Sequence, residues 1–305
     1  MPTLIAPKSL CIYNNANRPK TIKFLSDIDL ISVNDKSRYV IDLSGVEYAG
    51  AAASVLLFAK INRAQLRYKN PNLFRFKWPK KNENPLGHRW IIGTGLSKAL
   101  LSGNLEKIDI LTRENQFFQS SVEPYQQLIS TVVMLQRNAN LTEEQLKLLI
   151  SAVSEAMLNV SHHAYEDEVF SEQVTPLGGK RWWQCSWFNP EENSLVFIIC
   201  DLGIGLGRSF QQADIAFSRM GELNCVLTAL TVGESRFRGA GRGNGSEDIK
   251  RPIGSGCAES ETLLVFTGNA RYSYTSLHGS LTCEPVKEFI PGTLIEWTLV
   301  PRREE

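Results

Sequence analysis

The sequence predicts two domains of different class. Residues 1–118 read as an α/β domain, and residues 119–305 as an α+β sandwich with a mixed sheet covered by helices on one face. Three observations carry this. The chain has 305 residues, enough for two domains of about 150 each. A strand, a Ser-Gly turn and an Ala/Leu-rich helix follow one another over 39–66, the unit from which α/β sheets are built. The second half opens with helices and then runs into strands, an order typical of segregated α+β folds.

Composition bounds the rest. Charged residues make up 21% and apolar residues 43%, as in ordinary globular proteins. The net charge of +1 gives no general pull toward nucleic acid or anionic membrane. MPTLIAPKSL lacks the charged start and long apolar core of a secretory leader. The apolar run Tyr48–Ala59 is too short to span a bilayer. The cysteines, Cys11, Cys185, Cys200, Cys225, Cys257 and Cys283, are scattered without a Cys-x-x-Cys pair. This argues against a zinc ribbon or a disulfide framework, and the expected setting is reduced and cytoplasmic.

Taken in order, Leu4–Ile5 and Leu10–Tyr13 are candidate strands. Tyr39–Leu43 is a clearer one, ending at Ser44-Gly45, and Ala51–Leu66 follows as a helix. Residues 68–90 mix basic residues, aromatics and prolines, a composition shared by single-strand nucleic-acid patches and by solvated loops anchored on rings such as Phe76 and Trp78. The neutral chain favours the loop, so a nucleic-acid partner is not expected. Leu105–Leu111 is a further candidate strand, and Thr112–Val122 a candidate linker.

Pro124–Gln136 reads as a helix leading into the second domain. The best-specified helix is Leu141–Tyr165: Leu146, Leu149, Ile150, Val153, Met157 and Val160 form an apolar stripe, and Thr142 with Gln145 suits a capping box. Glu155, Asn159 and His163, four residues apart, line up away from that stripe. The same spacing suits a solvated helix face. Trp182–Phe188 and Ser194–Cys200 are strands joined by an Asn189-Pro190 turn. Asp201-Leu-Gly-Ile-Gly205 follows the second of them directly, helices are expected within Ile204–Thr231, and Glu261–Gly268 and Gly292–Val300 supply the last strands. Gly239, Gly241, Gly243 and Gly245 form a glycine-rich run near Arg236, Arg238, Arg242, Lys250 and Arg251. Backbone amides of such a run can converge on phosphate oxygens, although no Gly-Lys-Ser/Thr follows as in a Walker A loop.

Glu155-x-x-x-Asn159-x-x-x-His163-Ala164-Tyr165, Asp-x-Gly-x-Gly, the glycine-rich run and Gly292-Thr293 together resemble the nucleotide-binding boxes of the GHKL ATPases. The Asn-x-x-x-His-Ala-Tyr ending is most similar to the serine-kinase, anti-sigma branch. The resemblance implies ATP and Mg²⁺ as cofactors, with Glu155 as general base and Asn159 as the Mg²⁺ ligand. It implies Asp201 as acceptor for the adenine amino group, and Gly203, Gly205, Gly241, Gly243, Gly245 and Thr293 as further nucleotide contacts. Two departures stand out: Ser246 replaces a common leucine, and 252–259 is glycine-bearing where the helix would continue. In the first half, Asp42-Leu-Ser-Gly-Val46 and the helix after it resemble a STAS domain. The serine that such domains phosphorylate falls here on Ala51 or Ala52, and the acidic position on Gly50. The implied function is a regulatory ATPase or serine/threonine-type kinase of the partner-switching kind, acting on a protein partner and open to homo-oligomerisation. The alternative is an ATP-gated interaction module with little turnover.

Overall fold

The computed structural model describes residues 2–34, 38–138, 141–213, 215–230, 245–253, 258–276 and 279–301. It is a mixed α/β structure with both parallel and antiparallel sheets, divided into two compact units. One unit holds Met1–Ser121 together with Glu172–Cys185; the other holds Val122–Ser171 and Ser186–Glu305.

The first unit is built on parallel strands. β1 (Thr3–Ile5), β3 (Tyr39–Asp42) and β5 (Phe74–Lys77) form one sheet in the order β1-β3-β5, and β2 (Ser9–Leu10) pairs with β4 (Tyr48–Ala49). Helix α1 (Arg18–Asn34) precedes β3, and α2 (Ala51–Arg67) follows β4. From Ala51 to Leu66, α2 is buried on nearly every side, so its polar residues all need partners. Ser54 donates to Gly50 O at 3.0 Å, and Lys60 and Arg63 both pair with Asp29 of α1. Burial pushes the Asp29 carboxyl up, but the charges of Arg63 and Lys60 outweigh it and hold it below the usual range.

Two sequence expectations fail here. Leu105–Leu111 is helical, within α5 (Leu105–Arg113), after the short helices α3 (Pro85–His88) and α4 (Leu96–Leu100). Asn104 caps α5 by accepting from Lys107 N at 2.9 Å, and Ile108 and Leu111, three residues apart, are its buried face. The expected linker Thr112–Val122 contains strand β6 (Phe118–Ser121), paired antiparallel with the first half of β7 (Trp182–Asn189) in the register Phe118↔Cys185 to Ser121↔Trp182. The segment 172–185 thus completes the first unit. Trp183 Nε1 donates to Asn62 Oδ1 at 2.9 Å, while Asn62 Nδ2 donates to Ser102 O at 2.9 Å, all of it buried.

The second unit begins with α6 (Pro124–Asn138) and α7 (Glu143–Asn159), which pack together. α7 carries the expected capping box, with Thr142 Oγ1 accepting from Gln145 N and Gln145 Oε1 from Thr142 N. Of its stripe, Leu149, Val153, Met157 and Val160 are buried, Leu146 and Ile150 half-buried. After α8 (Glu168–Val174), β8 (Ser194–Cys200) leads to three short helices, α9 (Leu206–Ala213), α10 (Ile215–Ser218) and α11 (Glu222–Ala229). A fourth, α12 (Gly245–Lys250), lies against α7. The unit closes with a long hairpin, β9 (Ala258–Thr275) and β10 (Ser280–Pro301), and β10 also pairs antiparallel with β8. Both closing strands are far longer than the sequence suggests. Among the described residues no helix is long and apolar enough to cross a membrane.

Asn62→Ala should destabilise the protein by about 2–4 kcal/mol, because it removes two buried hydrogen bonds and strands the Trp183 indole. A urea titration would register this as a lower midpoint at unchanged slope.

Candidate functional site

β8 is apolar through Leu195–Cys200 and runs alongside β10, so it delivers the next residue, Asp201, into the interior. A carboxylate there must be met by donors. Gly203 N donates to Asp201 Oδ1 at 2.8 Å, and the backbone at Thr293 also favours the ionised carboxyl. The ladder continues through the site, with Asp201 N donating to Thr293 O at 3.0 Å. Burial dominates nevertheless and lifts the Asp201 carboxyl to about 7; the amides of Gly203 and Thr293 lower it only in part.

These contacts require bare backbone at two positions. A Cβ on Gly203 would lie 1.9 Å from Ala164 O, and one on Gly292 would lie 2.2 Å from Asp201 O and 2.7 Å from its Oδ1. Gly292 also has φ +69°, in the left-handed region. It sits in an irregularity of β10, where Ile290 pairs with Gly268 but Thr293 already pairs with Thr267. Pro291 and Gly292 are the extra residues, a bulge that turns the Gly292 carbonyl toward β9.

The loop after Asp201 is held amide by amide. Leu202 N donates to Tyr165 Oη at 3.4 Å, Ile204 N to Ala164 O at 2.8 Å, and Leu206 N to Thr267 Oγ1 at 2.9 Å. The Thr267 hydroxyl in turn donates to Gly292 O at 2.9 Å. Gly205 fits beneath it, its Cα facing Thr267 Oγ1 and Gly292 O. Asp201, Gly203, Gly205, Thr293 and the Ala164–Tyr165 segment that follows α7 are therefore neighbours.

Glu155 and Asn159 form the other half. Both are half-buried, and the Asn159 side chain hydrogen-bonds Glu155. The expected straight row with His163 is broken after Asn159, because the chain continues as a π-helical turn, Val160–Ala164. The wider turn carries His163 toward Glu166, Nδ1 to Oε2 3.7 Å. Burial and, secondarily, the charge of Asp248 on α12 push the Glu155 carboxyl up; Asn159 and His162 oppose this. Asp248 itself lies 2.9 Å from Arg251 Nε. Trp297 Nε1 donates to Ile249 O at 2.8 Å, fixing α12 to the sheet. Gly245 begins α12, whereas Gly239, Gly241, Gly243, Arg236, Arg238 and Arg242 lie outside the described residues. Among the described residues no group of three or more His, Cys, Asp or Glu is arranged to hold a metal ion.

Thr267, Tyr165 and Asp248 had no role assigned from the sequence. Thr267 left one trace: Leu263–Phe266 are all buried and apolar, so the hydroxyl that follows them stands in an apolar run. Compared with family models and with curated proteins, the chain matches none.

The buried Asp201 gives a pH signature. Its folded pKa, about 7, lies above the 3.8 of an ordinary aspartate, so between those values the folded state holds a proton that the unfolded chain has lost. This group's contribution to stability should be fully present below about pH 4 and lost as pH rises to about 7, at about 1.4 kcal/mol per unit at most. Urea unfolding of wild type and Asp201→Asn across pH 4–8 checks it: the variant should lose this component of the slope.

Proposed function

We propose that residues 119–305 form an ATP–Mg²⁺-binding domain of the GHKL, Bergerat-type fold, with helices on one face of a mixed sheet, and that residues 1–118 form a STAS-like domain. The protein would act as a regulatory ATPase or serine/threonine-type kinase that works on a protein partner. The observation that carries this reading is the meeting of Asp201, Gly203, Gly292 and Thr293 around one buried carboxylate. A buried acid held by backbone amides is suited to accept from a planar amino donor such as that of adenine. Such a donor would also offset the cost of ionising Asp201. The first half is supported by its parallel β1-β3-β5 sheet and by the Asp42–Gly45 turn leading to α2. Alanines at 51 and 52 leave no serine there to modify.

Asn159 donates toward Glu155, which leaves its amide oxygen to face a cation; Mg²⁺ takes few protein ligands, so the pair suits it. Bound there, Mg²⁺ would neutralise phosphate charge. Glu155, held by Asn159 at the end of α7, would take the proton from an attacking water or hydroxyl, and its raised pKa brings it nearer to neutral as a base. Asp201 selects the base, and the π-turn joins the two ends. One observation favours the second reading, an ATP-gated interaction module. The charge of Asp248, after burial the second cause of the raised Glu155 pKa, opposes the ionised carboxylate that a base needs.

Asp201→Asn should weaken ATP binding by about 1.5–3 kcal/mol, the worth of a hydrogen bond to a charged group; calorimetry at pH 8 reads this directly. If ATP is turned over, Glu155→Ala should keep binding while phosphate release or label transfer from γ-labelled ATP falls by about 10²–10⁴-fold. Asn159→Ala should lower both turnover and the magnesium-dependent part of the affinity. Wild-type binding without any turnover would decide for the gated module.

A further inference from the structure

We propose that Thr267 is the positioning residue that orients the Asp201 carboxylate for adenine, acting through the Gly292–Thr293 peptide. The inference rests on the nucleotide reading above. Thr267 is fully buried on β9 and touches neither Asp201 nor the space beside it by any hydrogen bond described. Its hydroxyl has one proton, and that proton goes to Gly292 O at 2.9 Å. A trans peptide is planar, with its C=O and N–H pointing in opposite directions. Fixing the Gly292 carbonyl toward Thr267 therefore aims the Thr293 N–H the other way, toward Asp201, whose own amide donates to Thr293 O at 3.0 Å and whose Oδ1 would lie 2.7 Å from a Cβ on Gly292. Gly292, at φ +69° and without a side chain, has no steric preference strong enough to hold the peptide alone.

The same oxygen accepts from Leu206 N at 2.9 Å, where the Asp201–Gly205 loop leaves the site. One hydroxyl thus governs both sides of the carboxylate: the loop that carries it and the peptide that faces it. Valine at 267 would fill the same volume with neither function. Serine would keep both. A purely structural role would affect all nucleotides alike, whereas positioning of Asp201 affects the base contact.

The test uses the full chain with Mg²⁺ and either ATP or GTP, in wild type, Thr267→Val and Thr267→Ser. Thr267→Cys, similar in size but poor as donor and acceptor, stands in if the valine variant does not fold. The valine (or cysteine) variant should bind ATP about tenfold more weakly, the scale of one lost hydrogen bond. GTP binding should hold, so that the ATP-to-GTP preference falls by the same factor, and serine should restore it. Amide exchange at Leu206 and Thr293 should quicken in the valine or cysteine variant only. An unchanged preference in a folded variant, or equal loss for both nucleotides, overturns the proposal. Should wild type bind no ATP, the nucleotide reading falls and the exchange data alone decide: unchanged protection at Leu206 and Thr293 would show that Thr267 orients nothing.

Discussion

A carboxylate taken out of water has to be met by donors, and at Asp201 backbone on two separate segments meets it. Gly203 N, from the same loop, donates to it directly, and the backbone at Thr293 on the last strand also favours its ionised form. Neither approach tolerates a side chain, since Gly203 lies against Ala164 O and Gly292 against Asp201 itself. The bulge of β10, the tight loop after β8 and the π-turn that ends the long helix are all arrangements that let those backbones close on one another. Remove the carboxylate and there is little reason for three irregular segments to meet at one place.

The chemistry is divided between two ends of this assembly. At one, Asp201 sits in a dry surround of backbone; at the other, Glu155 and Asn159 are half-buried and face Asp248 on α12. The π-turn Val160–Ala164 lies between them, with Ala164 O and Tyr165 Oη bonded to the loop that follows Asp201. A shift at the Asn159 end therefore has a covalent and hydrogen-bonded route to the Asp201 end. α12 is tied in turn to the sheet by Trp297, so the glycine-rich run leads into a fixed element.

The sequence was most legible where a local signal was also the structural cause. The Thr142–Gln145 box and the Leu149–Val160 stripe mark α7 because caps and apolar spacing are what form helices. The apolar run Ser194–Cys200 marked β8 for the same reason and placed Asp201 at its end. Elsewhere local pattern misled. Leu105–Leu111 is apolar enough for a strand, but Asn104 supplies a helix cap and the buried residues fall three apart. In α1, Ile22, Leu25 and Ile28 give the same spacing, blurred by interleaved Lys23, Asp27 and Asp29, and the helix went unread. The pairing of β6 with β7 joins residues more than 60 apart, a relation that no window contains. Thr267 escaped notice because a threonine in a strand is ordinary; only the register across β9 and β10 gives it meaning.

The long closing hairpin has a bearing on how the molecule forms. β9 and β10 are adjacent in sequence, and their register runs from Ser280↔Thr275 at the turn to Pro301↔Ala258 at the open end. Contacts of such short loop closure form on the microsecond scale, well before pairings that must bring distant segments together. The Thr267–Gly292 hydrogen bond lies wholly inside this hairpin. Within the finished sheet, the register Leu294↔Cys200 of β10 with β8 is the one that sets Asp201 opposite Thr293. A one-residue slip would turn the Asp201 side chain to the other face of the sheet, so the register that buries the apolar residues of β8 is also the one that brings Asp201 to Gly292 and Thr293.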